Sequence, residues 1–200
     1  MPTSPARRRS RRANGILPSH RVTGAEKVST AGFIADAMLG SLARKLRIFG
    51  FDTLYDRSAN DEMLVRLAIK QGRVVLTADR LLASLGAASG ASIILVHGET
   101  DAQRLRDISP RATRLGLDME GGGPSRCALC NGSLDSVSKD ELGEKVPKGV
   151  SSRHRLFYLC AECGHIYWRG SHWKKLRRLQ GVLRAKEGSG RVLKAKRASG

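Results

Sequence analysis

Arg73-Val-Val-Leu-Thr-Ala-Asp79 is the stretch that decides the fold. Three consecutive apolar residues between a charged start and a carboxylate end fit a short strand buried on both faces. Upstream, Phe33-Ile-Ala-Asp36 repeats the pattern. Between the two, Leu39, Leu42, Ala43, Leu46 and Phe49 recur at three- and four-residue spacing, one apolar helix face closed by Gly50. Asp52-Thr-Leu-Tyr55 reads as another strand. Asn60 caps a helix with Asp61 and Glu62 on the favourable end of its dipole, Met63, Leu64, Leu67 and Ala68 as its buried stripe and Gly72 at its end. Downstream come a short helix from Arg80 to Gly86, a strand from Ser92 to His97 and a helix from about Asp101 to Ile108. Strands alternating with crossover-length helices predict a three-layer α/β domain around a parallel sheet, with right-handed crossovers.

That unit occupies residues 31–118. Gly121-Gly-Gly-Pro124 marks a linker over 119–125. A second, smaller module over 126–175 holds all four cysteines. The flanks, 1–30 and 176–200, read as a disordered basic arm and a disordered basic tail. The net charge of +18 is concentrated there: residues 1–28 carry seven Lys/Arg against one Glu, and residues 174–200 carry ten against one. Such flanks favour a polyanionic partner through counterion release. Neither presents an amphipathic apolar face for a membrane surface, and no apolar run is long enough to span one.

In open parallel sheets, ligands bind beyond the carboxyl ends of the strands. Asp36 and Asp79 end strands there, Asp61 opens the helix after the second strand, and Asp101 follows the fourth. Asp56 and Glu62 stand in reserve. Clustered carboxylates raise one another's pKa unless a cation is shared. Mg²⁺ or Mn²⁺ suits oxygen ligands and phosphodiester cleavage. The local alternatives are a helix-dipole acid for Asp61 and an N-cap for Asp101. Thr77 should face the same side of its strand as Asp79.

Cys127-Ala-Leu-Cys130 and Cys160-Ala-Glu-Cys163 are two knuckles of thiolates, a set that fits tetrahedral Zn²⁺ in a closed, structural site. Asn131-Gly132 and Gly164 supply the left-handed turns such knuckles use. His165 is not counted as a ligand, since four thiolates fill the shell. Paired Cys-x-x-Cys motifs without a secretory signal fit a reducing cytoplasm.

Phe33-Ile-Ala-Asp36-Ala-Met-Leu-Gly-Ser-Leu-Ala-Arg-Lys-Leu-Arg47, Gly50-Phe-Asp52 and Leu76-Thr-Ala-Asp79-Arg-Leu-Leu82 resemble the Mut-seven C-terminal RNase family, as do Ser125-Arg-Cys-Ala-Leu-Cys-Asn131, Val146-Pro147 and Ile166-Tyr-Trp-Arg-Gly-Ser-His-Trp173. The resemblance implies a PIN-like nuclease domain followed by a zinc ribbon. It also implies a metal-dependent RNase with Asp36, Asp61 and Asp79 at the matching acidic positions, and leaves a homodimer open. Two positions depart from the family: Ala78, where a basic residue is expected, and Lys45, where an aromatic is common.

The reading is thus a ribonuclease, endonucleolytic in preference, with Asp36, Asp61, Asp79 and Asp101 as catalytic candidates. Arg44, Arg47, Arg80, Arg169, Trp173, Lys174 and Lys175 are the candidate RNA contacts, with Tyr167, Trp168 and His172 as further stacking surfaces. The rival reading is a non-catalytic RNA- or ribosome-binding protein on the same fold. A phospho-acceptor domain modified at Asp36 or Asp79 is the third.

Overall fold

The computed structural model describes residues 32–120 and 122–184. The basic arm (1–30) and the last part of the basic tail (185–200) lie outside the described residues. In chain order the first unit is β1 (Phe33–Ala35), a 3₁₀ turn (Ala37–Leu39), α1 (Gly40–Ile48), β2 (Thr53–Tyr55), α2 (Asp61–Gln71), β3 (Val74–Thr77), α3 (Arg80–Ala88), β4 (Ile93–Leu95) and α4 (Asp101–Arg114). Its four strands are all parallel, in the order β2-β1-β3-β4, with Ala35 level with Tyr55 on one side and Leu76 on the other.

Period-two alternation divides the buried strand residues between two cores. Phe33, Val74 and Leu76 face α1 and α4, where Leu42, Leu46, Leu105 and Ile108 meet them. Ile34 and Val75 face α2, against Leu64 and Ala68, with α3 alongside. Both faces are covered, which explains why β3 reads as an apolar run rather than an alternation. The α2 helix has the expected ends: the Asn60 side chain accepts from Met63 N at 2.8 Å, and Gly72 closes it with φ +61°.

Two differences from expectation have simple causes. Helix α4 runs past Pro110 to Arg114 instead of stopping near Ile108. Proline removes only one amide, and continuing the helix seats Ala112 on the core beside Leu105 and Ile108. The linker is not loose either. Met119 is buried in the main core. Gly50, at φ +94°, lies so close to Gly123 that any Cβ would strike its backbone.

The second unit contains β5 (Leu134–Ser138), the short helices α5 (Lys139–Leu142) and α6 (Lys148–Ser151), β6 (Leu156–Cys160) and β7 (Ile166–Tyr167). Its antiparallel sheet, in the order β5-β6-β7, closes over a small core of Leu142, Val146 and Phe157. The chain then returns to the first unit as α7 (His172–Arg184). Leu183 is buried in the main core, and Leu176, Leu179 and Val182 pack against it. The tail expected to be disordered from residue 176 is therefore helical and docked as far as residue 184. Its basic residues stand apart from an apolar stripe at 176, 179 and 183, a period the charge count concealed. Among the described residues, no helix is long and apolar enough to cross a membrane.

Candidate active site and metal centre

The parallel register carries Asp36 out of β1 beside the end of β3. The Asp36 amide donates to Leu76 O at 3.0 Å, and the side chain is 5% exposed. Its carboxylate collects three donors: Met38 N on Oδ1 at 2.6 Å, and Thr77 Oγ1 and Ala78 N, the latter at 3.3 Å, on Oδ2. Thr77 is fully buried and also accepts from Asp79 N at 2.9 Å, so one hydroxyl ties both strand ends together. The Asp79 side chain caps α3, its Oδ1 accepting from Leu81 N at 2.6 Å. Asp61 is exposed in the first turn of α2. Among the described residues, none of Asp36, Asp61 and Asp79 has an ion-pair partner. Three acids thus lie at the carboxyl end of the sheet, two of them fixed by backbone amides and a hydroxyl. Their oxygens do not form a closed nest, because the only three or more His, Cys, Asp or Glu side chains with ligand atoms all within 4.8 Å, among the described residues, are the cysteines.

Two residues singled out in the sequence are otherwise engaged. Asp101 is in the first turn of α4, behind a Thr100–Gln103 capping box, and pairs with Lys45 Nζ at 2.8 Å. Lys45 thus neutralises the fourth acid. Arg47, expected to contact phosphate, is 3% exposed. Its Nε donates to Thr53 O at 2.8 Å, and its Nη1 to Ala128 O at 3.0 Å and Leu129 O at 2.8 Å. This arginine binds the first cysteine knuckle to the edge of the sheet and has no open face for RNA. Arg44 and Arg80 are exposed.

Around Arg47 runs an interface that sequence reading did not anticipate. Asn131, the one non-glycine at positive φ (+74°) among the described residues, turns the knuckle. Its side chain accepts from Thr53 N at 3.1 Å and donates to Asp52 Oδ1 at 2.8 Å. Asp52 in turn receives Arg73 Nη1 at 2.8 Å and Nη2 at 3.1 Å. Burial alone would raise the Asp52 pKa, but the bonds from Arg73 and Asn131 outweigh it and hold the carboxyl below its ordinary value. Asn131 of the knuckle thereby covers the amide of Thr53 and Arg47 its carbonyl, groups on the sheet's edge strand that would otherwise be open to strand pairing. A clue was present: Arg47 sits four residues after Ala43, on the buried stripe of α1.

The cysteines assemble fully. The Sγ atoms of Cys127, Cys130, Cys160 and Cys163 lie within 4.8 Å of one another, with Cys127–Cys163 at 3.6 Å and Cys130–Cys160 at 3.4 Å. Gly164, at φ +71°, turns the second knuckle. The Cys127 thiol, raised by burial, is brought down to about 6 by the Tyr167 hydroxyl at 3.1 Å and the knuckle amides. Cys130, despite a lowering bond from the Gly132 amide, is pushed up to about 12 by burial and its neighbouring thiols. Four thiols so close cannot all ionise without a cation between them. The cluster can hold a metal such as zinc.

Between the ribbon and α7 lies an aromatic cleft of about 120 Å³ bordered by Tyr158, Tyr167, Trp168 and Trp173. The Arg169 guanidinium sits 5.5 Å from the Tyr158 ring centre and 5.1 Å from that of Trp173. Lys174, Lys175, Arg177 and Arg178 follow on the exposed side of α7, without an ion pair among the described residues. His165 stacks edge-on against Tyr167 and is not in the thiol cluster.

A parallel α/β sheet ending in acids is thus joined to a four-cysteine ribbon that could hold a metal such as zinc. The chain belongs to the Mut7-C RNAse domain family, whose model matches residues 31–180. No curated protein and no solved structure matches it. Family membership gives the protein a nuclease-type function and a nucleic acid as substrate.

Proposed function

We propose that the protein is a metal-dependent ribonuclease, endonucleolytic in action, that works at the acid rim. The observation that carries this reading is Asp36: a carboxylate 5% exposed, at a strand end and tied through Thr77 to a second acid, with neutral donors and no cationic side chain paired with it among the described residues. A buried charge in that state calls for a counter-ion. The oxygen donors suit Mg²⁺ or Mn²⁺, and Asp36 and Asp79 retain acceptor capacity beyond the bonds they make. Asp36, Asp61 and Asp79 would hold the ion. When bound, such an ion supplies Lewis acidity to a phosphodiester oxygen and a more acidic water.

The chain's own residues do the rest. Thr77 and Ala78 N fix the Asp36 carboxylate. The first turns of α2 and α3 bring positive helix ends to the rim, a favourable setting for phosphate. Arg44 and Arg80, both exposed, would serve as phosphate contacts. Asp101, neutralised by Lys45, stands outside the proposed ligand trio. On the ribbon, Trp168 and Trp173 offer stacking surfaces, while Arg169, Lys174 and Lys175 hold the strand's phosphates, and zinc at the four cysteines is structural.

A second reading, a non-catalytic RNA-binding protein, draws on the fact that Asp36 and Asp79 both also serve as N-caps. Cleavage of single-stranded RNA with Mg²⁺ or Mn²⁺ separates the two. Asp36→Asn and Asp79→Asn should each lower the rate by about 10²-fold or more, on the scale of removing a positioned catalytic group, with RNA affinity retained. Equal cleavage by wild type and both variants removes the site. Tight, salt-sensitive binding without turnover establishes the second reading.

A further inference from the structure

A cavity of about 280 Å³ runs along the β2 edge, between the nuclease domain and the first cysteine knuckle. Ala35, Tyr55 and Asp56 contribute from the strand ends, Met63 from the first turns of α2, and Leu129 from the knuckle. Its place is informative. Its lining includes neighbours in sequence of two rim acids: Ala35 precedes Asp36, and Met63 shares the first turn of α2 with Asp61. Its size falls just below the roughly 300–1,000 Å³ of pockets for drug-sized ligands, room for one planar heterocycle rather than a folded peptide. Its lining is mostly apolar, and Tyr55, Asp56, Arg47 and Cys130 are its polar members; of these the exposed Asp56 carboxylate and the Tyr55 hydroxyl offer an acceptor and a donor in the same small space. Met63 and Leu129, 46% and 55% exposed, are large apolar side chains left uncovered at this junction.

We propose that this cavity binds one unpaired nucleobase of the substrate strand next to the acid rim, making the cysteine knuckle part of the specificity surface. The proposal rests on the ribonuclease reading above. It requires a single-stranded segment, since a paired base cannot enter a recess of this size without leaving its stack. It also gives the docked knuckle a role in substrate choice: Leu129 forms the wall that the sheet edge lacks.

The test is to cleave a randomised single-stranded RNA pool with the full zinc-loaded chain and Mn²⁺ and to sequence the new ends. Wild type should favour particular bases at one fixed position beside the cut. Ala59→Trp, which fills the cavity, and Leu129→Ala, which removes its exposed wall, should flatten that preference and lower kcat/KM roughly tenfold, about one base-stacking contact, with Tm unchanged. Flat frequencies in wild type, or an unchanged preference in both variants, overturn the proposal while leaving the nuclease reading intact. A second readout needs no turnover: photocrosslinking of thiouridine-containing RNA should label peptides containing Tyr55 or Met63 and lose that label in Ala59→Trp. Crosslinks confined to the region around Trp168 and Trp173 reject the cavity even if no RNA is cleaved.

Discussion

The acid rim and the cysteine cluster are both sets of anionic ligands drawn from distant parts of the chain, yet only one is closed. The thiols lie within 4.8 Å of one another because two knuckle turns, each with a left-handed residue, bend the backbone around a point. The acids come from strand and helix ends in a parallel sheet, where neighbouring strands are about 4.8 Å apart, and Asp36 and Asp79 are each fixed by their own backbone donors. A closed shell suits a structural ion, whereas an open rim leaves room for water and substrate. The comparison teaches that the closed cluster is fastened to the domain that carries the open one: Arg47 and Asn131 bind its first knuckle to Thr53 on the edge strand.

The largest effect should follow metal removal. Structural zinc contributes about 10–16 kcal/mol of apparent binding free energy in small zinc domains. Chelation, or Cys127→Ser, should therefore unfold the ribbon and also lower the Tm of the nuclease domain, as hydrogen exchange on β2 would reveal. An unchanged β2 would mean that the two regions are independent.

Arg47→Met comes next. It keeps much of the side chain's length but strands the carbonyls of Thr53, Ala128 and Leu129, at a cost of about 3 kcal/mol for breaking a buried, charged hydrogen-bond set. Urea denaturation measures the loss. A change below about 1 kcal/mol would contradict the assigned role.

A smaller effect is expected from pH. Because the folded Asp52 pKa is held below its ordinary 3.8, its contribution is present above pH 3.8 and lost as the pH falls through the folded value. The stability gap between wild type and Asp52→Asn should thus be constant near neutrality and shrink towards pH 3. A gap that widens in acid would reverse the sign of the interaction.

Much of this architecture was legible in the residues. The apolar runs of β1 and β3, the stripe of α1 and the caps of α2 fix a parallel α/β sheet, and the Cys-x-x-Cys pairs fix the ribbon. The rest depended on long-range contacts that local patterns do not encode. Arg47 reads as an exposed cation because a charged residue on a helix usually faces water, and only the knuckle's carbonyls, about 80 residues away in sequence, make its burial tolerable. Asp101 reads as a catalytic candidate or a helix-end acid, and its pairing with Lys45 is a contact that local pattern does not encode. The docking of α7 was hidden because its cations dominate the composition while Leu176, Leu179 and Leu183 do the packing.

The central claim is that the open rim takes a divalent cation through Asp36 and Asp79. Calorimetric titration of the zinc-loaded chain with Mn²⁺ tests it directly. A saturable site in wild type that disappears in Asp36→Asn and weakens in Asp79→Asn, with folding preserved, is the predicted result. The same isotherm in all three proteins, or no binding at millimolar Mn²⁺, would contradict it.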